Sequence, residues 1–271
     1  MRHHTNVKEI DYSNLDCPEI LMALFHPRKE WRPKRVPAPG EELLIPVDEN
    51  IMVGARFHPA AQTDPILLFF HGNGEIVADY DEMAPIYNRM GINFLPVDYR
   101  GYGRSTGTPT ITTMMRDCHR IFAFIKSFLD ERGCRGPIIV MGRSLGSASA
   151  LELASRYGDR IDALIIESGF ARTGPLLQLL GVNLNTIGFT EDTGVENARK
   201  IRACHKPTLI IHAEKDHIIP FTDAEELYEA CGAPDKRLLM IPGANHNDIF
   251  FRGMGEYLKA VKALADRVAG R

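Results

Sequence analysis

The sequence predicts an α/β protein built on one mostly parallel sheet with helices on both faces. Three observations carry that expectation. Eight short apolar runs punctuate the chain, stretches of helical length alternate with them after an antiparallel-looking start, and glycines and prolines gather at the ends of the runs. A length of 271 residues is within reach of one large α/β unit, with a two-domain division as the alternative. Hydrophobic residues at 44% and charged residues at 25% exclude disordered, collagen-like and coiled-coil classes. The formal charge of −3 offers no general attraction to polyanions, so no nucleic-acid partner is expected.

Residues 1–40 read as an irregular arm. His26 to Gly40, HPRKEWRPKRVPAPG, holds four prolines and the basic residues Arg28, Lys29, Arg32, Lys34 and Arg35. The basic run reads as a solvated one, with a phosphate or membrane contact as the alternative, and Trp31 is expected to pin the arm. From residue 41 onward the pattern is regular. ELLIPV and IMVGARF form two adjacent strands joined at Asp48-Glu49-Asn50. ILLFF (66–70) lacks alternation and is therefore a strand buried on both faces, as are INFLPV, PIIVM, DALIIE, PTLIIHA and, more weakly, RLLMI. Helical lengths lie at 77–90, 110–130, 145–157, 222–231 and 253–268. The stretch 171–200 is too long for a plain connection and carries PLLQLLGVNL, which suggests a short cap over one end of the sheet.

Five scattered cysteines, odd in number and never spaced C-x-x-C, suggest neither a disulfide framework nor a zinc site and fit a reducing compartment. The first residues show no apolar stretch of signal-peptide length, and no stretch approaches the roughly 20 apolar residues of a spanning helix. A cytoplasmic location is the expectation. Nothing in the composition fixes an oligomeric state.

The chemistry concentrates in Gly142-Arg143-Ser144-Leu145-Gly146, a G-x-S-x-G sequence placed between the strand PIIVM and a helix rich in small residues. A serine on such a strand-to-helix turn has a strained backbone and an exposed hydroxyl, and flanking glycines let other backbone approach. The hydroxyl needs a base, and the base an orienting acid. Asp216 follows the strand PTLIIHA and His246 follows RLLMI, so in a parallel sheet both fall at the same carboxyl edge as Ser144. His246 is the expected base and Asp216 the acid. Glu167, at the end of DALIIE, is the alternative acid, and His217 a competing base hindered by its position beside Asp216. His212 and His119 lie inside regular elements, where packing is the ordinary role, and His3 and His4 belong to the terminus.

The order Ser, Asp, His, together with FFHGNGE, DYRGYGRSTG, GRSLGS, EKDHIIP and GANHND, resembles the α/β-hydrolase superfamily across roughly residues 41–271. The chain is similar to small-lid serine hydrolases that include depalmitoylase-like and monoacylglycerol-lipase-like members. The resemblance implies an eight-stranded α/β-hydrolase fold with a cap insertion at about 171–200. One oxyanion donor is expected from the N–H of Leu145, at a helix start directly after the serine. The other is expected from the loop after ILLFF, where the resemblance favours the N–H of Asn73, with Gly72 as the fallback. It likewise implies that His71 braces that loop and that Asp98 and Arg100 shape a turn. The cap residues Leu176, Leu177, Leu179, Leu180, Val182 and Leu184 either line an acyl pocket or simply pack. Arg143 and Arg172 are candidate contacts for an anionic substrate.

The expected activity is metal-free hydrolysis of a small-molecule carboxylic ester or thioester through an acyl-enzyme on Ser144. A peptidase or acyltransferase on the same triad, and a non-catalytic ligand-binding protein, are the alternatives. Neither a dinucleotide fingerprint nor a P-loop is complete, so no cofactor is implied. Depalmitoylase-like relatives often carry an N-terminal cysteine cluster. This chain has only Cys17 there and no M-G start, so no stable membrane anchor is expected.

Overall fold

A computed structural model describes residues 11–31 and 40–271. Eight strands form one sheet: β1 (Glu41–Asp48), β2 (Ile51–Phe57), β3 (Ile66–Phe70), β4 (Asn93–Val97), β5 (Ile138–Arg143), β6 (Ala163–Glu167), β7 (Thr208–Ala213) and β8 (Lys236–Ile241). Their order is β1-β2-β4-β3-β5-β6-β7-β8. β1 and β2 are an antiparallel hairpin turned at Asn50, whose φ of 57° is a conformation that asparagine tolerates. β2 meets β4 antiparallel, and every pairing from β4 to β8 is parallel. The fold is that of an α/β-hydrolase, as the sequence implies.

The central strands carry continuous apolar runs because both faces are covered. Ile66, Leu68 and Phe70 of β3 enter one core and Leu67 and Phe69 the other, following the two-residue period of a strand. The larger core is closed by α1 (Pro18–Leu24), α3 (Ile111–Glu131), α4 (Gly146–Arg156), α5 (Thr173–Leu179) and α7 (Phe221–Ala230). The smaller is closed by α2 (Ala84–Arg89) and α8 (Ile249–Val268), chiefly through Tyr87, Tyr257, Val261 and Leu264. The edge strand β1 alternates between exposed and buried positions instead.

Local chemistry sets several boundaries. Thr110 accepts a hydrogen bond from the N–H of Thr113 and starts α3. The stretch 77–90 breaks into a 3₁₀ turn over Val77–Tyr80 and the short α2, which begins with Pro85 in its first turn. α8 begins four residues before the expected 253 and bends at Gly253, where a Cβ would lie 2.5 Å from the Ile241 side chain.

Residues 11–31, the described part of the expected arm, are less irregular than their composition suggests. α1 lies among them, led by Pro18 at its start, and packs against α5. Trp31 pins nothing, being 86% exposed. Arg28 pairs with Asp79, and Lys29 donates to the carbonyl of Ser105 at 2.6 Å. Arg32, Lys34, Arg35, His3 and His4 lie outside the described residues. Over 171–200 the chain carries α5 and a 3₁₀ turn at Glu191–Thr193, then enters α6 (Asn197–Arg202), which the sequence pattern did not reveal. Glu191 accepts from the N–H groups of Thr173 and Gly174 at 2.6 and 2.8 Å, tying this stretch to the start of α5. No helix among the described residues is long and apolar enough to cross a membrane.

Candidate active site

Ser144 stands between β5 and α4 with φ at 51°, a left-handed conformation that costs a non-glycine residue roughly 1 kcal/mol or more. Neighbouring backbone explains why the turn needs its glycines. A Cβ on Gly142 would lie 2.3 Å from the carbonyl oxygen of Gly146, and one on Gly146 would lie 2.2 Å from that of Phe70. The Ser144 N–H donates to the Glu167 carbonyl at 2.8 Å, fastening the turn to β6.

Three side chains from separate loops meet here. His246 Nε2 lies 3.0 Å from Ser144 Oγ, and His246 Nδ1 lies 2.7 Å from Asp216 Oδ2. With the proton assigned to Nδ1, Nε2 is left to accept from the serine. Asp216 also accepts from the N–H groups of Ile218 and Ile219 at 3.0 and 2.8 Å. Burial pushes its carboxyl up, but the hydrogen bond and charge of His246, with the Ile219 amide, outweigh burial and hold it below the usual carboxylate range. His212 donates through Nε2 to the carbonyl of Ile219 at 2.8 Å and lies 3.5 Å from Asp216, a buried packing position. His217 is exposed.

The loop after β3 sets the opposite wall. His71 is buried, with Nε2 3.2 Å from Asp98 and Nδ1 2.8 Å from the Gly72 carbonyl. The N–H of Gly72, the fallback oxyanion donor, is already committed to Glu75 Oε2 at 2.6 Å. Among the described residues the N–H groups of Asn73 and Leu145 have no such partner.

Arg143 corrects a reading of the sequence. Its guanidinium is no substrate contact: the residue is 8% exposed and spends its donors inside the protein. Nε reaches Glu75 at 2.8 Å, Nη1 reaches Glu167 at 2.6 Å, and Nη2 donates to the carbonyl of His246 at 2.9 Å. Glu75 also accepts from Tyr80, and Glu167 from Tyr257, each at 2.6 Å. Glu167 is thereby occupied and does not serve as the acid for His246. Glu75, Tyr80 and Tyr257 carried no spacing signal in the sequence, since their convergence depends on three elements meeting.

Burial raises the Glu75 carboxyl, but the Arg143 charge outweighs it and holds the group at about 2. A depressed carboxyl contributes stability above its ordinary value, near 4.5, that is lost as pH falls through 2. Glu75→Gln is therefore expected to flatten the fall in unfolding free energy between those pH values by about 3 kcal/mol, measured by urea unfolding across that range.

A cleft of about 400 Å³ opens between α5 and the loop bearing Asp216, lined by Phe170, Leu176, Leu179, Ile218, Ile219 and neighbours. Leu176 lines it, whereas Leu177 is fully buried in the core and, like Leu180, lies outside the lining. Arg172 stands at this cleft paired with Glu226 at 2.7 Å.

Comparison with known proteins shows the family. The family Hydrolase_4, described as "Serine aminopeptidase, S33", matches residues 61–189 and 181–252. Protein bem46 of Schizosaccharomyces pombe is 30% identical over 75% of this chain and 68% of its own length. The human alpha/beta hydrolase domain-containing protein 17B is 30% identical over 72% of this chain and 64% of its own. The chain thus spans about two thirds of these relatives. Among solved structures, an esterase of Pyrococcus furiosus, Pf2001, superposes with a TM-score of 0.73 at 18% identity, covering 89% of this chain and 98% of that one. With a matched profile over more than half its length, the chain belongs to the Hydrolase_4 family of serine hydrolases in the α/β-hydrolase superfamily.

Proposed function

We propose that the protein hydrolyses a small-molecule carboxylic ester or thioester through an acyl-enzyme on Ser144. The observation that carries this reading is the continuous chain from Asp216 through His246 to the Ser144 hydroxyl, at 2.7 and 3.0 Å. His246 takes the serine proton as Oγ attacks the acyl carbon. The tetrahedral oxyanion is held by the N–H groups of Leu145 and Asn73, each such donor being typically worth about 3 kcal/mol of barrier. His246 then returns the proton to the leaving alcohol or thiol, and the same histidine activates water to release the acid. Asp216 keeps the imidazole in the required tautomer and stabilises its charged form. The cleft beside α5, with an apolar wall of Phe170, Leu176, Leu179, Ile218 and Ile219 and a polar one of Arg172, Asp223 and Glu226, adjoins the loop that carries Asp216 and is the space we assign to the acyl group.

The family description names an aminopeptidase, and peptide cleavage is the second reading. An aminopeptidase needs an anionic group for the substrate ammonium, whereas the carboxylates beside this cleft are already engaged. Asp223 accepts from the Ala171 N–H at 2.7 Å through one oxygen, and Glu226 is paired with Arg172. The cation of Arg172 at the cleft disfavours a substrate ammonium there, which favours an ester or thioester.

A fluorophosphonate probe is expected to label the purified protein at one residue, Ser144, and panels of esters, thioesters and aminoacyl amides are expected to rank in that order of turnover. No labelling would support a non-catalytic binding protein, and efficient turnover of unactivated aminoacyl amides or peptides, with kcat/KM near that for the matched esters, would support the peptidase.

A further inference from the structure

We propose that His26, on the segment that precedes β1, is a positioning residue that holds the oxyanion loop through the side chain of Asn73. The proposal rests on the hydrolase reading above and extends it to a residue 47 positions away in sequence, outside the span 61–252 that the family profile matches.

The Asn73 side chain is nearly saturated. Its Oδ1 accepts from the His26 N–H at 2.8 Å and from the Tyr102 hydroxyl at 2.7 Å, while its Nδ2 donates to His26 Nδ1 at 2.7 Å. Three of its four hydrogen-bonding positions are thus taken by two residues. The His26 N–H also lies 2.8 Å from the Tyr102 hydroxyl, so the three groups form a closed triangle whose Tyr102 corner is fully buried and whose His26 corner is exposed. With its side chain turned to this triangle, Asn73 can present only its backbone N–H to a substrate oxyanion.

The residues on either side are fixed as well. The N–H of Gly72 is held by Glu75, and the carbonyl of Gly74 accepts from Arg28 Nε at 3.1 Å. Arg28 also pairs with Asp79, whose carboxylate accepts from the Ile76 N–H at 2.9 Å. The segment itself is anchored beyond the loop. Gly103 N–H donates to the Arg28 carbonyl at 2.8 Å, the Glu30 N–H donates back to the Gly103 carbonyl at 3.2 Å, and Glu30 pairs with the buried Arg56 at 2.7 Å. On its other side Leu24 and Phe25 are buried in the core, so His26 is held from both ends and acts as a brace.

A brace matters here because an oxyanion donor works only within about 2.7–3.1 Å of the oxygen it stabilises, and a displacement of about 1 Å costs up to roughly 100-fold in rate. A segment that only added stability would change the melting temperature and leave turnover per folded molecule untouched. The two roles separate in kinetics.

The test uses the full chain with p-nitrophenyl butyrate as substrate and a trifluoromethyl ketone, which forms a tetrahedral adduct with the serine, as inhibitor. His26→Ala is expected to lower kcat by roughly 5–30-fold with KM within about twofold, and to weaken the ketone by a similar factor. His26→Asn places an amide oxygen where Nδ1 accepts and is expected to recover kcat to within about threefold. Asn73→Ala should cost at least as much as His26→Ala, and the double variant no more than Asn73→Ala alone, because His26 acts through Asn73. A folded His26→Ala protein with parental kcat and ketone affinity overturns the proposal, as does an equal loss in the Asn variant or additive losses in the double one. If Ser144→Ala turns over ester at the parental rate, the hydrolase reading fails and this proposal with it. If Ser144→Ala is inactive and His26→Ala fully active, the brace alone is wrong.

Discussion

Ser144→Ala is expected to lower kcat for ester hydrolysis by about 10⁴–10⁶-fold without weakening the fold. The loss follows from the geometry at the turn. Among the described residues the hydroxyl bonded to His246 Nε2 is that of Ser144, and without it the imidazole has no nucleophile to activate. His246→Ala should cost a similar factor, and the double variant no more than either single one, because the hydroxyl and its base act as a unit. Stability should move in the other direction at this position. With φ at 51°, the serine pays for a left-handed backbone that glycine adopts freely, so Ser144→Gly is expected to be inactive and more stable by about 1 kcal/mol. Steady-state kinetics and denaturant unfolding on the same preparations check both halves. A Ser144→Gly protein less stable than the parent would mean that the hydroxyl, and not the backbone, decides the stability of the turn.

Arg143→Met is expected to cost about 3–5 kcal/mol of stability, the largest loss from any single charged residue near the site. The guanidinium sits between Glu75 and Glu167, and removing it leaves two carboxylates in a buried setting without their cation. Activity should fall in whatever protein still folds. The same side chain donates to the carbonyl of His246, and through Glu75 it reaches the Gly72 N–H, so both walls of the site depend on it. Arg143→Lys keeps the charge but cannot supply three donors in a planar fork, and its stability and kcat are expected to fall between parent and methionine variant. Adding Glu75→Gln and Glu167→Gln to Arg143→Met should recover part of the lost stability and little of the activity, because the stranded charges go but the anchor on His246 does not return. Guanidinium unfolding and kcat for an ester separate these effects. Parental stability in Arg143→Met would show that the two glutamates do not rely on it.

The sheet was legible in the sequence because strands covered on both faces must be apolar at every position, so ILLFF and its counterparts stand out from their surroundings. The short helices α1 and α6 were not, since seven and six residues give too few turns for a helical period to show. The meeting of Ser144, Asp216 and His246 could be anticipated because parallel strands bring their carboxyl ends to one edge, whatever the sequence distance. Arg143 could not be placed in the same way. Its character is set by Glu75 and Glu167, which arrive from the loop after β3 and from β6, and nothing in the letters G-R-S-L-G records that convergence. Leu176 and Leu177 make the same point on a smaller scale. They are neighbours on α5 about 100° apart and both are buried in the core, yet only Leu176 also borders the cleft, which the packing of the helix decides. His26 belongs with Arg143, as its contact with Asn73 comes from a segment 47 positions away that reaches the loop after β3.

The most direct measurement is rapid acid quench of the enzyme during turnover of p-nitrophenyl butyrate, followed by mass spectrometry of the proteolysed protein. The expected result is a butyryl group on the peptide containing Ser144, formed within the burst of nitrophenol release and absent in Ser144→Ala. A burst with the acyl group on another residue, or steady turnover that survives in Ser144→Ala, would contradict Ser144 as the nucleophile.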